Sequence, residues 1–474
     1  MKFTKISPKI QNKLTQILDE TPKLSAIIDA IDKVGGKVYL VGGAVRDLLL
    51  GISSKDLDME VHHISLEQLE QVLKHFGVVN LVGKSFGVLR LESLDIDWSI
   101  PRSDKSGRKP EVALDPFLDI KKAFERRDVT MNAMGINLIT YELIDPFNGY
   151  NDLQHGILRA TNPLTFIEDP LRFFRVMQFI GRFEMMPDEV LDDLCNTMDV
   201  AKVSKERIEN ECKKLLLKSK KPSLAFAWLK KINRLHDVFP EIEALQGVEQ
   251  SSVWHPEGDV FEHTLQALDA AAKLDYANEQ EKLIIMYAAL CHDFGKVKAT
   301  AKTNGKITSY RHEAVGVHLA KKFLKRIMDN GDVIQAVCKL VAAHMYPLQF
   351  VQGKASLSAY KRLALKLSPD VTLAILAKLS LADKQGRNPL KGNPLSDVLS
   401  WNNVFIDKAE AAGVLYGVEK RILEGKDLMP EIQPGPLMGE LVKEAYKIQL
   451  DEGISQKDIL KQRVLKKLSS KTKK

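Results

Sequence analysis

The stretch VYLVGGAVRDLLLGISSKDLDMEV, residues 38–61, decides the fold of the first part of this chain. Its apolar start, 38–41, predicts a buried strand, Gly42 and Gly43 interrupt that strand, and the residues that follow have helical spacing. A strand, a glycine turn and a helix start let backbone N–H groups approach an anion, and Arg46 adds a positive charge. We therefore expect a phosphate-binding turn that includes Gly43 and Arg46.

Two aspartates, Asp56 and Asp58, follow this helix with one residue between them. Residues two apart on a strand point to the same face, so both carboxylates can bind one hard cation such as Mg²⁺. Alone, a Gly-Gly pair is more often an ordinary turn, and an Asp-x-Asp pair is more often a solvated strand edge. In this order and spacing, the two signals together indicate an enzyme that holds a nucleoside triphosphate and its metal ions.

This order of motifs resembles the signature of the class II nucleotidyltransferases of the polymerase β superfamily. That family contains the CCA-adding tRNA nucleotidyltransferases and the bacterial poly(A) polymerases. Further segments keep the order of the family: IDWSIPR at 96–102, RRDVTMNAM at 126–134, IDPFNGYNDL at 144–153, EDPLRFFR at 168–175 and ERIENE at 206–211. The resemblance covers about the first half of the chain and implies an α+β catalytic head.

Phosphoryl transfer from a triphosphate uses two metal ions, for which two carboxylates rarely suffice. By resemblance, Asp97 is the candidate third ligand on a neighbouring strand, and Asp95 on the same face is its rival. The resemblance also implies contacts to the ribose and triphosphate from four residues of the RRD motif: Arg126, Arg127, Asp128 and Asn132. Arginine forks suit phosphate oxygens, and Asp or Asn can bond a 2′-hydroxyl.

The EDPLRFFR segment is a candidate for choosing the base without a template. Asp169 is predicted as an N-cap and Pro170 as the first helical residue, which places Asp169 and Arg172 on one face. A carboxylate accepts from an exocyclic amine and a guanidinium donates to ring acceptors, so the pair would select CTP and ATP over UTP and GTP. An isolated pair of this kind is usually a surface ion pair, and the resemblance assigns it to base recognition. Arg175, one turn later, is a further candidate contact to the base or triphosphate.

The second half of the chain resembles a metal-dependent HD phosphohydrolase domain through HPEGDVFEHT, CHDFGK and LADKQGR. The resemblance implies a ligand set of His263, His292, Asp293 and Asp383 for a divalent metal ion whose identity stays open. His312 and His344 stand where some HD enzymes hold a second metal ion. The implied activity is phosphodiesterase or phosphatase action on 2′,3′-cyclic or terminal phosphates of nucleotides or RNA ends.

Pattern changes divide the chain. Mixed short strands and helices precede about residue 155, and helical periodicity dominates after it. Turn clusters suggest domain edges near 250 and 390. The predicted domains are a nucleotidyltransferase head at 1–155, an all-α neck and body for base recognition and RNA binding at 156–250, an all-α HD domain at 251–390, and a helical C-terminal extension with a basic tail at 391–474.

Composition fits a globular protein: of 474 residues, 45% are apolar and 28% charged, with a net charge of +7. No apolar run is long enough to cross a membrane, and the start of the chain lacks the apolar core of a secretory signal, so we expect a cytoplasmic protein without membrane contact. The four cysteines contain no CxxC pair, which excludes a thiolate zinc site of that kind. Lysine-rich stretches such as 213–221 are compatible with RNA binding but do not establish it.

The primary hypothesis is therefore addition of C, C and A to the 3′ end of tRNA from CTP and ATP, with Mg²⁺ at the head and a second phosphohydrolase activity in the HD domain. Poly(A) polymerase is a near alternative, but the GRRF element of its relatives is replaced by GKSFG at 83–87. CC-only and A-only adding enzymes stay open, because they differ mainly in the segment 103–125. An HD phosphohydrolase with an RNA-binding head is the alternative from another class. Monomer and homodimer both stay open.

Overall fold

The computed structural model describes residues 3–52, 57–82, 87–105, 111–388 and 399–471. Asp56 and most of the GKSFG segment lie outside these residues. The chain divides into two compact units, Met1–Val203 and Ser204–Lys474. The finer domain limits near 155, 250 and 390 stay predictions.

The first unit is built on a mixed sheet of eight strands in the order β1-β10-β9-β2-β3-β6-β5-β4. The strands of the unit are β1 (Phe3–Lys5), β2 (Lys37–Val41), β3 (Leu57–His62), β4 (Val79–Val82), β5 (Val88–Leu91), β6 (Ile96–Ser99), β7 (Arg102–Lys105), β8 (Glu111–Leu114), β9 (Gly135–Asn137), β10 (Glu142–Ile144), β11 (Ile157–Leu158) and β12 (Met186–Pro187). Of these, β7 pairs with β8 and β11 pairs with β12 in two separate two-stranded sheets. In the centre of the sheet, β3 is antiparallel to β2 and parallel to β6. The stretch GINLITYELIDPF forms an antiparallel hairpin of β9 and β10, in keeping with its alternating apolar residues.

Helices flank this sheet and continue into the helical part of the unit. They are α1 (Pro8–Asp19), α2 (Pro22–Lys33), α3 (Gly43–Leu49), α4 (Leu66–Lys74), α5 (Ile120–Glu125), α6 (Gly149–His155), α7 (Pro163–Phe166), α8 (Leu171–Phe183) and α9 (Glu189–Thr197). In α2, Leu24, Ile27, Ile28 and Ile31 are buried at helical spacing, which gives the helix one apolar face for the core.

The deciding stretch folds as predicted into a strand, a turn and a helix. Gly42 follows β2 with φ of 73°, a conformation that favours glycine, and α3 begins at the next residue. A Cβ at Gly42 would lie 2.5 Å from Nη1 of Arg127. The turn therefore needs glycine both for its backbone and for the close approach of an arginine from the RRD motif.

The second unit is predominantly helical. Its helices are α10 (Lys205–Lys218), α11 (Ser223–Lys231), α12 (Leu235–Val238), α13 (Pro240–Glu243), α14 (Val260–Ala272), α15 (Glu279–Cys291), α16 (Lys296–Ala299), α17 (His312–Ile327), α18 (Gly331–Ala343), α19 (Tyr346–Gln352), α20 (Leu357–Leu367), α21 (Leu373–Gln385), α22 (Leu399–Ala411), α23 (Pro436–Glu452) and α24 (Lys457–Lys471). The second half of α15 is buried on every side, as expected for a central helix that is apolar all round. Helices α14, α18 and α21 pack against it.

A short hairpin interrupts the helices of this unit, with β13 (Ala301–Thr303) paired to β14 (Lys306–Thr308). The predicted fold class, an α+β head followed by helical domains, is confirmed, and this hairpin is an addition that the helical prediction omitted. Among the described residues, no helix is long and apolar enough to span a bilayer.

A buried carboxyl joins α11 to α14 and makes a stability prediction possible. Asp269 is 1% exposed and accepts from the Ser223 backbone N–H at 3.0 Å and from its hydroxyl at 2.6 Å. Burial raises the pKa of Asp269 to about 6, against the opposing effect of these two hydrogen bonds. Because the folded-state pKa is raised, the stability due to this group is complete below the unfolded pKa and is lost as pH rises through about 6.

We expect Asp269→Asn to raise the apparent Tm at pH 8, because the amide stays neutral and can still bond Ser223. A raised pKa of about two units sets an upper limit of about 3 kcal/mol on the gain in unfolding free energy. The gain should shrink towards pH 5, measured by thermal unfolding at both pH values. Asp275→Asn, at an exposed position, is the matched control. A difference between variant and parent that does not depend on pH would contradict the assignment.

Candidate active sites

The sheet of the first unit brings two predicted metal ligands side by side. Asp58 on β3 and Asp97 on β6 are directly opposite each other in the parallel pairing of the two strands. Opposite residues on neighbouring strands share a face, so both carboxylates lie on one side of the sheet. Asp95 precedes β6 and its side chain is 84% exposed, which favours Asp97 as the partner of Asp58.

Arg90 is a member of this site that the sequence reasoning missed. It lies on β5 directly opposite Asp97, to which its Nε donates at 2.7 Å and its Nη2 at 2.6 Å. The hydrogen bond and the charge of Asp97 raise the pKa of Arg90. The alternating apolar residues of VLRLE could have indicated Arg90, because they place its side chain on the outward face of the strand.

Glu60 is a second missed residue, two positions after Asp58 on the same strand. Its carboxylate is buried, with Oε2 at 3.7 Å from Nη2 of Arg126 and 3.9 Å from Nη2 of Arg127. Burial acts to raise the pKa of Glu60, but the hydrogen bond with His62 and the arginine charges outweigh burial and lower it. The two arginines of the RRD motif are thus held next to the strand that carries Asp58.

A buried polar network joins the glycine turn to the RRD motif and to α8. Arg46, 5% exposed, donates from Nη1 to Oδ1 of Asn132 at 2.6 Å and stacks over the ring of Phe183 at 4.3 Å. Asn132 donates from Nδ2 to Asp128 at 3.0 Å, and Arg175 donates from Nε to the other oxygen of Asp128 at 2.6 Å. The network fixes four predicted nucleotide-binding residues relative to one another: Arg46, Asp128, Asn132 and Arg175.

Asp128 is the centre of this network and is charged at neutral pH. Burial alone would raise its pKa, but the charge of Arg175, the Asn132 amide, the Arg175 hydrogen bond and the Val129 N–H lower it to about 2.

Gly43 lies at the start of α3, where a Cβ would be 3.3 Å from Nη2 of Arg46. The predicted turn residue and its arginine are therefore in close contact.

The predicted base-reading pair lies at the start of α8. Asp169 Oδ1 accepts from the Leu171 N–H at 3.1 Å, and the helix begins at Leu171, one residue later than predicted. Arg172 donates from Nη1 to the Thr165 carbonyl at 2.8 Å and from Nη2 to the Arg126 carbonyl at 2.5 Å. Burial lowers the pKa of Arg172, although the charges of nearby carboxylates act to raise it. Its guanidinium is thus held in one orientation and is joined directly to the RRD motif.

In the second unit, the predicted HD ligands converge into one buried cluster. Asp293 is at its centre, with Oδ2 at 3.3 Å from Nε2 of His292 and 3.6 Å from Nε2 of His263. Oδ1 of the same carboxylate is 3.3 Å from Nε2 of His312. His263 also lies 3.1 Å from Oδ1 of Asp383. Their elements are α14 for His263, the end of α15 for His292 and Asp293, the start of α17 for His312, the end of α18 for His344, and α21 for Asp383.

The cluster offers two overlapping groups of three potential metal ligands. One comprises His263, His292 and Asp293, and the other comprises Asp293, His312 and His344. Asp293 is common to both groups, which is the arrangement expected where one carboxylate bridges two metal ions. All six predicted ligand side chains are therefore brought together.

Hydrogen bonds behind the histidines orient their Nε2 atoms towards the cluster. A backbone carbonyl only accepts, so each Nδ1 that contacts one carries the proton and leaves Nε2 free to bind a cation. These Nδ1-to-carbonyl contacts, each of 2.8 Å, join His292 to Ala289, His312 to Ser309 and His344 to Val341. Burial, with the charges of His292 and His312, lowers the pKa of His344 to about 3, so that ring is neutral at physiological pH. Neutral imidazoles and carboxylates fit a divalent metal ion.

Glu257 orients His263 and was missed from sequence. Its Oε1 accepts from Nδ1 of His263 at 2.7 Å and from Nδ1 of His255 at 2.8 Å. Burial acts to raise the pKa of Glu257, but the hydrogen bonds from His255 and His263 outweigh it and lower the pKa to about 2. Its position between the two histidines in HPEGDVFEH was the only sequence signal.

Two cations border the acidic side of the cluster. Nζ of Lys296 is 2.6 Å from Oδ2 of Asp293, and Nη2 of Arg387 donates to both oxygens of Asp383 at 3.0 and 3.2 Å. Both belong to the quoted HD motifs, but neither was singled out. They place positive charge where a phosphate group would approach the ligands.

Family comparison assigns each site to a known class. Residues 38–159 match the Poly A polymerase head domain, and residues 260–380 match the HD domain. The fold and both sites thus define an enzyme of the class that joins a nucleotidyltransferase head to an HD domain.

Two curated relatives narrow this class. The Multifunctional CCA protein of Pasteurella multocida (strain Pm70) is 30% identical over 370 residues, which are 74% of this chain and 84% of that protein. The Multifunctional CCA protein of Hahella chejuensis (strain KCTC 2396) is 36% identical over 301 residues, 61% of this chain and 68% of that protein. The chain belongs to the family of multifunctional CCA proteins.

Solved structures agree on the fold. The Bacillus stearothermophilus CCA-adding enzyme in complex with CTP aligns with a TM-score of 0.67 at 18% identity, covering 99% of this chain and 100% of that one. The Thermotoga maritima CCA-adding enzyme complexed with tRNA aligns with a TM-score of 0.56 at 21% identity, with the same coverage. The predicted fold and family are confirmed, while the individual site residues keep their roles as proposals.

Proposed function

We propose that this protein adds C, C and A to the 3′ end of tRNA from CTP and ATP without a nucleic-acid template. The observation that carries the proposal is the fixed position of Arg172, held by the carbonyls of Thr165 and Arg126. It joins the base-reading helix to the RRD motif. Both relatives carry the name Multifunctional CCA protein, and the similar solved structures include CCA-adding enzymes with CTP, ATP and tRNA.

In the reaction, the 3′-hydroxyl of tRNA attacks the α-phosphorus of the nucleotide, the new phosphodiester forms, and pyrophosphate leaves with the bonding electron pair. Asp58 and Asp97, with Asp56 outside the described residues, would hold Mg²⁺. Those ions would activate the hydroxyl and neutralise the leaving charge. Arg127, beside the glycine turn, is placed to neutralise triphosphate oxygens. Asp128, charged and fixed by Arg175, is the candidate acceptor for a ribose hydroxyl.

The test uses purified protein with Mg²⁺ and tRNAs that end at the discriminator base, after C, and after CC. CTP and ATP are supplied separately and together, and products are sized at nucleotide resolution. Addition of CCA followed by a stop is the expected result. CC alone or A alone would place the protein in a split system, and a long A tract would support poly(A) polymerase.

Base choice gives a prediction specific to Arg172. Lysine keeps the charge but cannot hold two carbonyls and a base edge with one planar group, so Arg172→Lys should relax selection against UTP and GTP. A bidentate contact contributes about 1–3 kcal/mol to base discrimination, so the ratio of kcat/KM for CTP over UTP should fall about 5- to 150-fold. Single-nucleotide incorporation with each triphosphate measures it. Arg182→Lys, near the end of the same helix, is the control, and equal selectivity in both variants would refute the role.

We also propose that the HD cluster hydrolyses phosphoesters of nucleotides or RNA ends, such as 2′,3′-cyclic phosphates. The convergence of six buried predicted ligands into one cluster centred on Asp293, flanked by Lys296 and Arg387, supports the proposal. A divalent metal ion would supply an activated water and charge neutralisation. Lys296 and Arg387 are placed to bind phosphate oxygens. The alternative, an inactive RNA-binding head, predicts hydrolysis without any nucleotide addition. The incubation with tRNA, CTP and ATP distinguishes this alternative from the main proposal.

A cleft in the C-terminal part of the chain is our candidate contact for the tRNA backbone. It has a volume of about 390 Å³. Five basic side chains line it: Arg362, Lys366, Arg421, Lys443 and Lys447. Asp451 forms an ion pair with one of them, Arg362. Such a basic surface binds phosphates in a salt-dependent way.

With tRNA as its substrate, the protein would act in the cytoplasm. Whether it does so as a monomer or a homodimer is a question for sedimentation.

A further inference from the structure

The HD cluster is most deeply buried at its ligands and more accessible at its border. Its ligands His263, His292 and Asp293 are at most 2% exposed. The side chains at its border are more accessible: 15% for Arg387, 11% for His255, 10% for Lys296 and 8% for His312. A substrate phosphate can reach the cluster from the side of these border residues.

Two exposed aromatic side chains are close in sequence to residues of this border. Trp254 is 62% exposed and directly precedes His255, whose ring is 4.8 Å from that of His263. Tyr310 is 82% exposed and lies two positions before His312. Neighbouring Cα atoms are about 3.8 Å apart, so both aromatic residues start within one or two residues of the border.

The two segments that carry these rings are held side by side. Lys296 donates from Nζ to Gln250 at 2.7 Å, and Lys302 pairs with Glu249 at 3.3 Å. The loop before α14 is thereby tied to α16 and to the β13–β14 hairpin. The Thr300 and Ser309 hydroxyls, 2.8 Å apart, close the base of that hairpin just before Tyr310. The segments that carry Trp254 and Tyr310 are therefore joined next to Lys296 at the border of the cluster. This border with its two segments is our candidate entrance.

The charge of this entrance is complementary to a polyanion. Basic residues on the Tyr310 side comprise Lys298, Lys302, Lys306 and Arg311. The acidic groups on these segments are each engaged with a partner. Glu249 pairs with Lys302, and Glu313 is 3.7 Å from His312. Glu257 accepts from His255 and His263, and Asp259 caps α14. Positive charge with exposed aromatic rings is the combination that binds single-stranded nucleic acid, by backbone attraction and base stacking.

We propose that Trp254 and Tyr310 form a stacking platform for the last bases of a single-stranded RNA end, whose terminal phosphate enters the HD cluster. The proposal rests on the proposed phosphohydrolase function and names its substrate class. The platform binds substrate and takes no part in bond cleavage. Stacking on such rings is tolerant of base identity, so the site would accept RNA ends of different sequence.

Binding tests the platform without hydrolysis. Of the four tryptophans, Trp98 and Trp228 are buried and Trp401 is half-buried with Lys384 over its ring. In a Trp401→Phe background, quenching of the more exposed emission therefore reports on Trp254. A trinucleotide with a 3′-phosphate, which the head cannot extend, should quench the full-length protein saturably, while inorganic phosphate should not. Tyr310→Ala should raise Kd about tenfold, because one stacked base contributes about 1–3 kcal/mol, and Tyr310→Phe should restore it. Val253→Ala is the control, and equal quenching by phosphate and trinucleotide overturns the proposal.

Hydrolysis kinetics distinguish a role of the platform in substrate binding from a role in catalysis. With a nucleoside or oligonucleotide 2′,3′-cyclic phosphate, Trp254→Ala should raise KM about tenfold and leave kcat unchanged. With a base-free aryl phosphodiester, neither constant should change. Equal losses on both substrates overturn the platform. If the parent binds the trinucleotide with the predicted variant pattern but hydrolyses nothing, the phosphohydrolase function fails while the platform is supported. Ring-dependent self-association without RNA binding would make the surface a subunit contact and overturn the proposal.

Discussion

Asp58→Ala is expected to abolish nucleotide addition. Asp58 lies opposite Asp97 on parallel strands, and no other pair of described carboxylates in the first unit shares that register across β3 and β6. A metal ion contributes several kcal/mol to transition-state stabilisation, so loss of one ligand should lower kcat/KM at least about 10³-fold. Asp97→Ala should cause a similar loss of kcat/KM. Single-turnover incorporation of CMP into a tRNA that ends at the discriminator base measures both.

The matched control is Asp95→Ala. Asp95 is close to Asp97 in sequence, but its side chain is 84% exposed and lies 3.6 Å from Arg90. This variant should add nucleotides within about twofold of the parent, because exposed ion pairs contribute little. Full incorporation by Asp58→Ala, or a loss in Asp95→Ala equal to that in Asp97→Ala, would contradict the ligand assignment. Binding of CTP without Mg²⁺ should survive in all three variants, which separates loss of metal from loss of fold.

The strand-turn-helix order was predictable from local spacing, because Gly42 and Gly43 interrupt an apolar run and helical spacing follows them. The grouping of the HD ligands was implied by the family resemblance, because these residues are spread from 263 to 383 and no local spacing joins them. The choice of Asp97 over Asp95 was left open, because both lie on one face by period two. It depends on where β6 begins, and strand ends are the least predictable part of a sequence pattern.

Glu60, Arg90 and Glu257 were missed for a common reason: each acts through a partner that only strand pairing, packing or a loop conformation brings next to it. Arg90 meets Asp97 only because β5 and β6 pair in one register, and Glu60 meets Arg127 only when the RRD motif packs onto β3. Glu257 acts through the imidazole of His263. Tertiary pairing of this kind leaves no periodic signal.

The hairpin at 301–308 had a local signal that was overlooked. Asn304 and Gly305 have φ values of 51° and 75°, the conformation of a tight hairpin turn that an Asn-Gly pair favours. Short exposed strands lack a buried apolar face, so only their turn residues predict them. The surrounding helical pattern concealed them.

Asp293→Ala is expected to have the largest effect in the second unit. Its carboxylate lies within 3.6 Å of the Nε2 atoms of His263, His292 and His312, so its removal takes a ligand from both candidate groups at once. It also leaves Lys296 without its partner next to the histidines. We expect Mn²⁺ binding to be lost and hydrolysis of an aryl phosphodiester to fall at least about 10³-fold.

Nucleotide addition should continue in this variant within about twofold, since the predicted ligands of the head lie in the other unit. That retained activity is the internal control for folding, and Asp293→Asn, which keeps the shape of the side chain, is the second variant if alanine prevents folding. His318→Ala removes an exposed histidine from α17 and should change neither metal content nor hydrolysis. Metal content by mass spectrometry and both activities are measured on the same preparation. Retention of Mn²⁺ by both Asp293 variants would mean that the carboxylate is no ligand, and parallel loss of both activities would mean that it supports the fold instead.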